Sequence, residues 1–152
     1  MRVRAGIILI KEDKVALIER HRAGLHYFVF PGGGVEEGES VEQAALREAV
    51  EEIGIEVAIK QKVAEVQVGR ASRQIYFLVE QIGGDFGTGR GEEYTDSDPD
   101  DPGEGTYVPI WMPINQLLHY TNVYPADIAR LVITSMKNGW TQGSIPVFEE
   151  LS

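Results

Sequence analysis

Two rhythms of apolar and polar positions alternate along this chain. Residues 3–10 and 15–19 are β-rich apolar runs separated by the polar turn Lys11-Glu12-Asp13-Lys14, the pattern of a hairpin. Residues 27–30 form a short aromatic strand that stops at Pro31, and Tyr27, Phe28 and Phe30 alternate there in the manner of core side chains. Residues 56–69 and 73–81 are two alternating runs broken by Arg70-Ala71-Ser72, and residues 106–112 form a further strand carrying Trp111. The second rhythm is helical. Ser40 and Gln43 make an S-x-x-Q capping box that predicts a helix from residue 41, and Gly54 is a natural left-handed residue just past its end. Residues 113–119 read as a short helix. Residues 125–138 read as a longer one, with Pro125 in its first turn, apolar Ile128, Leu131, Val132 and Met136, and Gly139 at its end. No internal repeat is present. Strands with helices on both sides predict an α/β fold, a three-layer α/β/α sandwich with a mixed central sheet.

The helix starting at residue 41 carries the chemistry. At 100° per residue, Ala45, Leu46, Ala49, Val50 and Ile53 share one apolar arc, and Glu48, Glu51 and Glu52 share a neighbouring arc. Like charges three and four residues apart repel by a few tenths of a kcal/mol per pair, roughly, so this face calls for a compensating cation. Carboxylates and a diphosphate are the oxygen ligands that Mg²⁺ or Mn²⁺ prefers. Such an ion stabilises charge on a phosphoryl oxygen and acidifies water, and a glutamate not used as a ligand serves as general base. Arg47 stands four residues before Glu51 and can brace it or Glu39. The run Gly32-Gly33-Gly34 lets backbone approach a metal or phosphates where a Cβ would intrude.

These residues stand in one register: Gly33, five residues, Glu39, seven residues, then Arg47-Glu48-Ala49-Val50-Glu51-Glu52-Ile53-Gly54-Ile55. Seven of the positions demand a single residue type, an agreement that chance supplies at on the order of one start in 10⁸ at about 7% usage per type. The segment resembles the complete box that defines the Nudix hydrolases, with Ala49 a small choice for an aliphatic position. The resemblance covers nearly the whole chain in element order, although outside the box and the preceding Pro31-Gly32 it is one of pattern. It implies metal-dependent attack of water on phosphorus in a nucleoside diphosphate linked to X, either a nucleotide sugar such as ADP-ribose or a nucleoside triphosphate. It implies Glu51 and Glu52 as metal ligands, the Gly32 carbonyl as a further one, and Glu48 as ligand or general base. It also points to Glu104, with Glu92 and Glu93 as alternatives, as a carboxylate from outside the box that reaches the metal. The other reading is a nucleotide sensor of the same fold without turnover; such modules usually lose box glutamates, and this chain keeps all of them.

Composition narrows the partners. The 152 residues, expected to form one domain, carry 14 basic and 24 acidic side chains, a net charge of −10. That balance argues against nucleic acid and anionic membrane as partners and leaves a small phosphorylated nucleotide, whose charge a bound metal offsets. No cysteine is present, as suits a reducing compartment, and no apolar run reaches the length of a signal or membrane span, so a cytoplasmic location is expected. Nothing in the sequence sets the oligomeric state, and a homodimer stays open. Residues 83–105 hold seven glycines, eight acids and one basic residue, Arg90, and are expected to form a mobile lid on the substrate side, the alternative being a plain disordered insertion. Asp96, Asp98 and Asp100 mimic a calcium loop, but Asp101 replaces its glycine and Tyr107 its final glutamate. Arg4, Arg70 and Arg73 lie on or beside strands that border the expected cleft, and Arg20 precedes the glycine loop; with Gly33 and Gly34 they are the candidate substrate-binding residues. His21 is a further candidate for phosphate or base. His21, His26 and His119 show no metal-ligand spacing.

Overall fold

A computed structural model describes residues 1–88 and 105–150 of the chain. Strands β1 (Arg2–Lys11) and β2 (Lys14–Arg22) meet in a two-residue turn where Glu12 and Asp13 have φ of 53° and 63°. That geometry matches the right-handed twist of paired strands. The pair then separates, for β1 and β2 are in register only at Ile10–Val15 and Lys11–Lys14. Beyond that point β2 pairs with β3 (Leu25–Val29) on one side and β7 (Thr106–Pro113) on the other. β1 instead runs parallel to β6 (Ser72–Gly84) and pairs with β4, the glycine run Gly32–Gly34. β5 (Ile55–Val68), β8 (Val123–Tyr124) and β9 (Val147–Glu150) complete a nine-stranded mixed sheet of order β8-β3-β2-β1-β6-β5-β9. A cleft opens where β1 and β2 part.

Helix α1 (Val41–Glu48) covers one face of the sheet and α2 (Ala126–Asn138) the other. Period-two alternation sorts the side chains between the two cores. Ala5, Ile7 and Leu9 of β1 and Ile75, Phe77 and Val79 of β6 face α1, while Ile8, Tyr76 and Leu78 face α2. Because both faces are covered, β1 is apolar without a break from Ala5 to Leu9, the mark of a strand buried on both sides. Each large aliphatic buried there contributes about 1.5–3 kcal/mol relative to its exposed state. The three-layer α/β/α arrangement expected from the pattern is the one observed.

Several local expectations need correction. The capping box forms as expected, Ser40 accepting from the Gln43 backbone N–H and Gln43 accepting from that of Ser40. The helix does not stay α-helical to Gly54, however: residues Ala49–Ile53 form a π-helical turn, and the Gly54 N–H bonds back to the carbonyls of both Ala49 and Val50. Leu46 and Val50, expected on the apolar arc, are exposed, and the buried stripe is Ala44, Ala45, Ala49 and Ile53. On α2, Ile128 and Val132 are buried and Leu131 packs at the edge of the core, but Met136 is exposed; Pro125 caps the helix and does not lie within it. The segment expected as a loop from residue 83 begins as strand, and Gly87 then bonds through its N–H to the Ile53 carbonyl, holding this segment against the π turn. Residues 89–104 lie outside the described structure, and with them Glu92, Glu93, Glu104, Asp96, Asp98 and Asp100.

Candidate active site

Arg47 organises the site. Its Nε and Nη2 donate to the two carboxylate oxygens of Glu39 at 2.8 and 3.0 Å, a bidentate fork. Its Nη1 donates to Glu48 at 2.8 Å and to Glu51 at 3.0 Å, and Nη2 also donates to the Gly34 carbonyl at 2.9 Å. The sequence offered Glu39 or Glu51 as its partner; the fold uses both, and adds Glu48 and β4. These bonds hold the Glu39 carboxyl below the usual carboxylate range, helped by the Glu36 N–H, and push the Arg47 guanidinium up.

Glu48 and Glu52 are only 6% and 7% exposed, a degree of burial rare for carboxylates. They stand one turn apart on the same side, and the π turn places Glu52 so that it accepts from the Gly32 N–H at 3.1 Å. Single π turns of this kind are frequent at functional sites. Glu51 remains half-exposed beside Arg47. Gly33 lies over Glu48: a Cβ there would run into the Glu48 carboxylate. At this position the missing side chain makes room for a glutamate of the site itself, where the sequence suggested room for metal or phosphate. The pairing of β4 with β1 is equally close, since a Cβ on Gly32 would strike the Ala5 carbonyl.

A cavity of about 410 Å³ opens in front of these residues. Gly32, Gly33, Gly34, Glu48 and Glu52 line it together with Arg4 and Arg20. Arg4 reaches the Gly32 carbonyl at 3.5 Å. Arg20 lies with its guanidinium 3.6 Å from the centre of the Tyr107 ring and 5.7 Å from that of Tyr27, a cation–π arrangement that orients it. Two of the four arginines singled out in the sequence are thus brought to the cavity, and two are not. Arg73 is on β6 next to the cavity-lining Gln74, so alternation turns it to the other face, where it pairs with Glu65 at 2.6 Å. Arg70 sits exposed in the turn between β5 and β6. His21 also stays outside the cavity and stacks on His26, and His119 is exposed on the short helix Ile114–His119. Phe28 and Phe30 are core residues as expected, whereas Tyr27 is half-buried against Arg20 and Tyr124.

The sequence did not mark the rest of the lining. Arg2, Gln74, Tyr107, Tyr124 and Glu150 also line the cavity. Burial raises the Glu150 carboxyl above its ordinary value, with the charge of Asp127 adding to the effect. Only pairing at long range brings these residues together. β9 joins β5 through Val68–Glu150, and β7 joins β2 through Arg20–Tyr107. No spacing signal in the chain marks either.

Comparison with known proteins places this geometry. A family model described as NUDIX domain matches residues 1–131. Over 61 residues the chain is 43% identical to an 8-oxo-dGTP diphosphatase of Proteus vulgaris, covering 38% of this chain and 53% of that protein. Over 54 residues it is 44% identical to an RNA pyrophosphohydrolase of Shewanella piezotolerans, covering 36% of this chain and 31% of that one. These alignments span from about a third to about half of the relatives' lengths. In three dimensions the chain resembles a NUDIX hydrolase from Nitrosomonas europaea, with a TM-score of 0.70 at 19% identity over 98% of this chain and 79% of that one. It also resembles an ADP-ribose pyrophosphatase from Streptococcus suis, with a TM-score of 0.65 at 16% identity over 97% and 98%. The likeness to these two structures is one of fold. Box register, glutamate geometry and family model agree, and the chain belongs to the Nudix hydrolase family.

Proposed function

We propose that this protein hydrolyses the diphosphate linkage of a nucleoside diphosphate joined to a further group, either a nucleotide sugar or a nucleoside triphosphate. The observation that carries the reading is the pair of buried carboxylates, Glu48 and Glu52, lining one cavity together with Arg4 and Arg20. Arg47 meets the charge of Glu48 from one side, and a divalent cation in the cavity would add positive charge beside both buried carboxylates. The donor set is all oxygen, from Glu48, Glu52, the adjoining Glu51 and the Gly32 carbonyl, and fits a hard divalent cation. Mg²⁺ or Mn²⁺ held there supplies Lewis-acid stabilisation of charge on a phosphoryl oxygen.

The chain's own residues do the rest. Arg4 and Arg20 pair with phosphate oxygens and set the diphosphate against the glutamate wall. The glutamate of the set that is not used as a ligand takes the proton from the attacking water. Arg47 touches no substrate; by fixing Glu39, Glu48, Glu51 and Gly34 together it positions the carboxylates and the glycine strand. Relatives named as a diphosphatase and pyrophosphohydrolases support the reaction type.

The test is a panel of nucleotide sugars and nucleoside triphosphates incubated with protein and Mg²⁺ or Mn²⁺, with released nucleoside monophosphate, phosphate and pyrophosphate measured. Turnover of at least one class, abolished by chelator and by Glu52→Gln, is the expected result. Binding of nucleotides with no turnover under any metal would establish the sensor reading in its place.

A further inference from the structure

On the outer end of the β2–β3 pair, away from the glutamate wall, the antiparallel register sets His21 directly opposite His26, two residues along β2 from Glu19. The two imidazole rings are stacked, with centroids 4.2 Å apart and planes 3° from parallel. His26 Nε2 lies 2.8 Å from Glu19 Oε2, and one ligand atom from each of the three residues falls within 4.8 Å of the others. Thr106, opposite His21 on β7, places its Oγ1 3.4 Å from His21 Nδ1 and so orients that ring from the other side. Hydrogen bonding of this kind at a ring nitrogen is what commonly steadies a ligating histidine.

We propose that Glu19, His21 and His26 form a second metal site, distinct from the glutamate wall and selective for a borderline transition cation such as Zn²⁺, Ni²⁺ or Cu²⁺. Two imidazoles and one carboxylate favour these ions over Mg²⁺ or Ca²⁺. Donor atoms bound to Zn²⁺ at about 2.1 Å in tetrahedral array lie roughly 3.4 Å from one another. The triad reaches that spacing by rotation of the two exposed histidines about the half-buried Glu19, the His26–Glu19 pair being already closer. On binding, the cation takes the place of the His26–Glu19 hydrogen bond, with His26 ligating as neutral imidazole through Nε2 and carrying its proton on Nδ1, and a fourth position stays open to solvent. Because β2 alternates, the opposite face of this segment presents Arg20 to the cavity, so an occupied triad braces the strand pair that carries a cavity arginine.

The histidine count makes the site testable, for the chain has three histidines and no cysteine. With the full-length protein in excess Mg²⁺, which keeps the oxygen site filled with a hard ion, Zn²⁺ titrated by calorimetry is expected to fill one further site. His21→Ala and His26→Ala are expected to weaken that binding at least about tenfold, while Glu52→Gln and His119→Ala leave it unchanged. The Glu52→Gln arm separates this site from the proposed catalytic one. Cu²⁺ added in the same conditions is expected to show nitrogen hyperfine splitting in its paramagnetic resonance spectrum, lost in the His21→Ala, His26→Ala double variant. Oxygen-only coordination of Cu²⁺, or Zn²⁺ affinity indifferent to both histidines, would overturn the proposal and leave a stacked imidazole pair hydrogen-bonded to Glu19.

Discussion

Arg47 shows how much one side chain can organise. Its planar fork serves Glu39 bidentately while the same guanidinium reaches Glu48, Glu51 and the Gly34 carbonyl, a geometry that an ammonium cannot copy. Arg47→Lys is therefore expected to lower stability by about 1–3 kcal/mol, the range of charge-assisted bonds in a partly buried setting. It is also expected to reduce kcat more than it raises KM, since it loosens the carboxylates and not the arginines that line the cavity with them; denaturant melts and steady-state kinetics check both. Glu52→Gln keeps an oxygen that can accept from Gly32 but removes a charge. Turnover is expected to fall by about 10²-fold or more, the rate equivalent of several kcal/mol of metal-assisted stabilisation. The metal-free variant is expected to melt no lower than metal-free wild type, because it relieves the charge it shared with Glu48 in the same wall. A large loss of melting temperature in the metal-free variant would count against that account. Gly33→Ala tests the same wall from the backbone side. A methyl driven into the Glu48 carboxylate is expected to cut activity at least tenfold, by roughly the 1.4 kcal/mol that a tenfold rate change represents, with the circular dichroism spectrum preserved.

Among the elements, the π turn has the greatest consequence. One extra residue within the turn moves Glu52 toward β4 and ends the helix at Gly54, whose φ is 75°. A Cβ at that position would come within 2.6 Å of the Asp85 carbonyl and 2.5 Å of Thr88 Oγ1, both on the turn that follows β6. Gly54→Ala therefore carries both the left-handed penalty and a clash with backbone. A destabilisation of about 1–3 kcal/mol is expected, measurable as a shift in denaturant midpoint. If the variant proved as stable as wild type, the close seating of the turn Asp85–Thr88 on the helix end would be in error. The hairpin of β1 and β2 matters in a different way. By pairing over only two residue pairs it lets the two halves of the sheet part and leaves the cleft between them.

On the scale of the whole molecule, the charges of the site set how stability varies with pH. Arg47 lowers the Glu39 carboxyl and Arg73 lowers that of Glu65, so each contributes stability above the ordinary carboxylate pKa of about 4.3 and loses it as pH falls through the depressed value. Glu150 has the opposite sign: burial raises its carboxyl, so its charging opposes folding as pH rises past the ordinary range. Glu39→Gln is expected to lower stability at neutral pH and flatten the acid limb as pH falls from about 4.3, whereas Glu150→Gln is expected to raise stability at neutral pH. Denaturant titrations from neutral to acid pH distinguish the two. A divalent cation that binds only the native state adds about 2.7 kcal/mol at a concentration a hundred times its dissociation constant. The melting temperature is thus expected to climb with Mg²⁺ or Mn²⁺ and to fall back on chelation. Among the described residues no helix is long and apolar enough to cross a membrane.

The parts of this protein that are local in the chain were legible in its sequence. The capping box, Gly54, the apolar run of β1, the alternation of β5 and β6, and the register from Gly33 to Ile55 are all set by neighbours within a few turns or residues. The physics that decides them, backbone capping, side-chain period and like-charge spacing, acts over that same range. The three-layer fold was accordingly legible, and the carboxylates, Arg47 and the glycine strand that the sequence singled out lie together in it. What joins distant segments was not legible. Arg4 and Arg73 look alike in the sequence, yet the parity of their positions on β1 and β6 sends one to the cavity and the other to Glu65. Tyr107 and Glu150 reach the cavity because β7 and β9 pair with strands far away in the chain. His21 and His26 lack any ligand spacing along the chain and become neighbours only through the register of β2 on β3. Strand order and register are chosen by the burial of two whole cores at once, and no window of sequence contains that information.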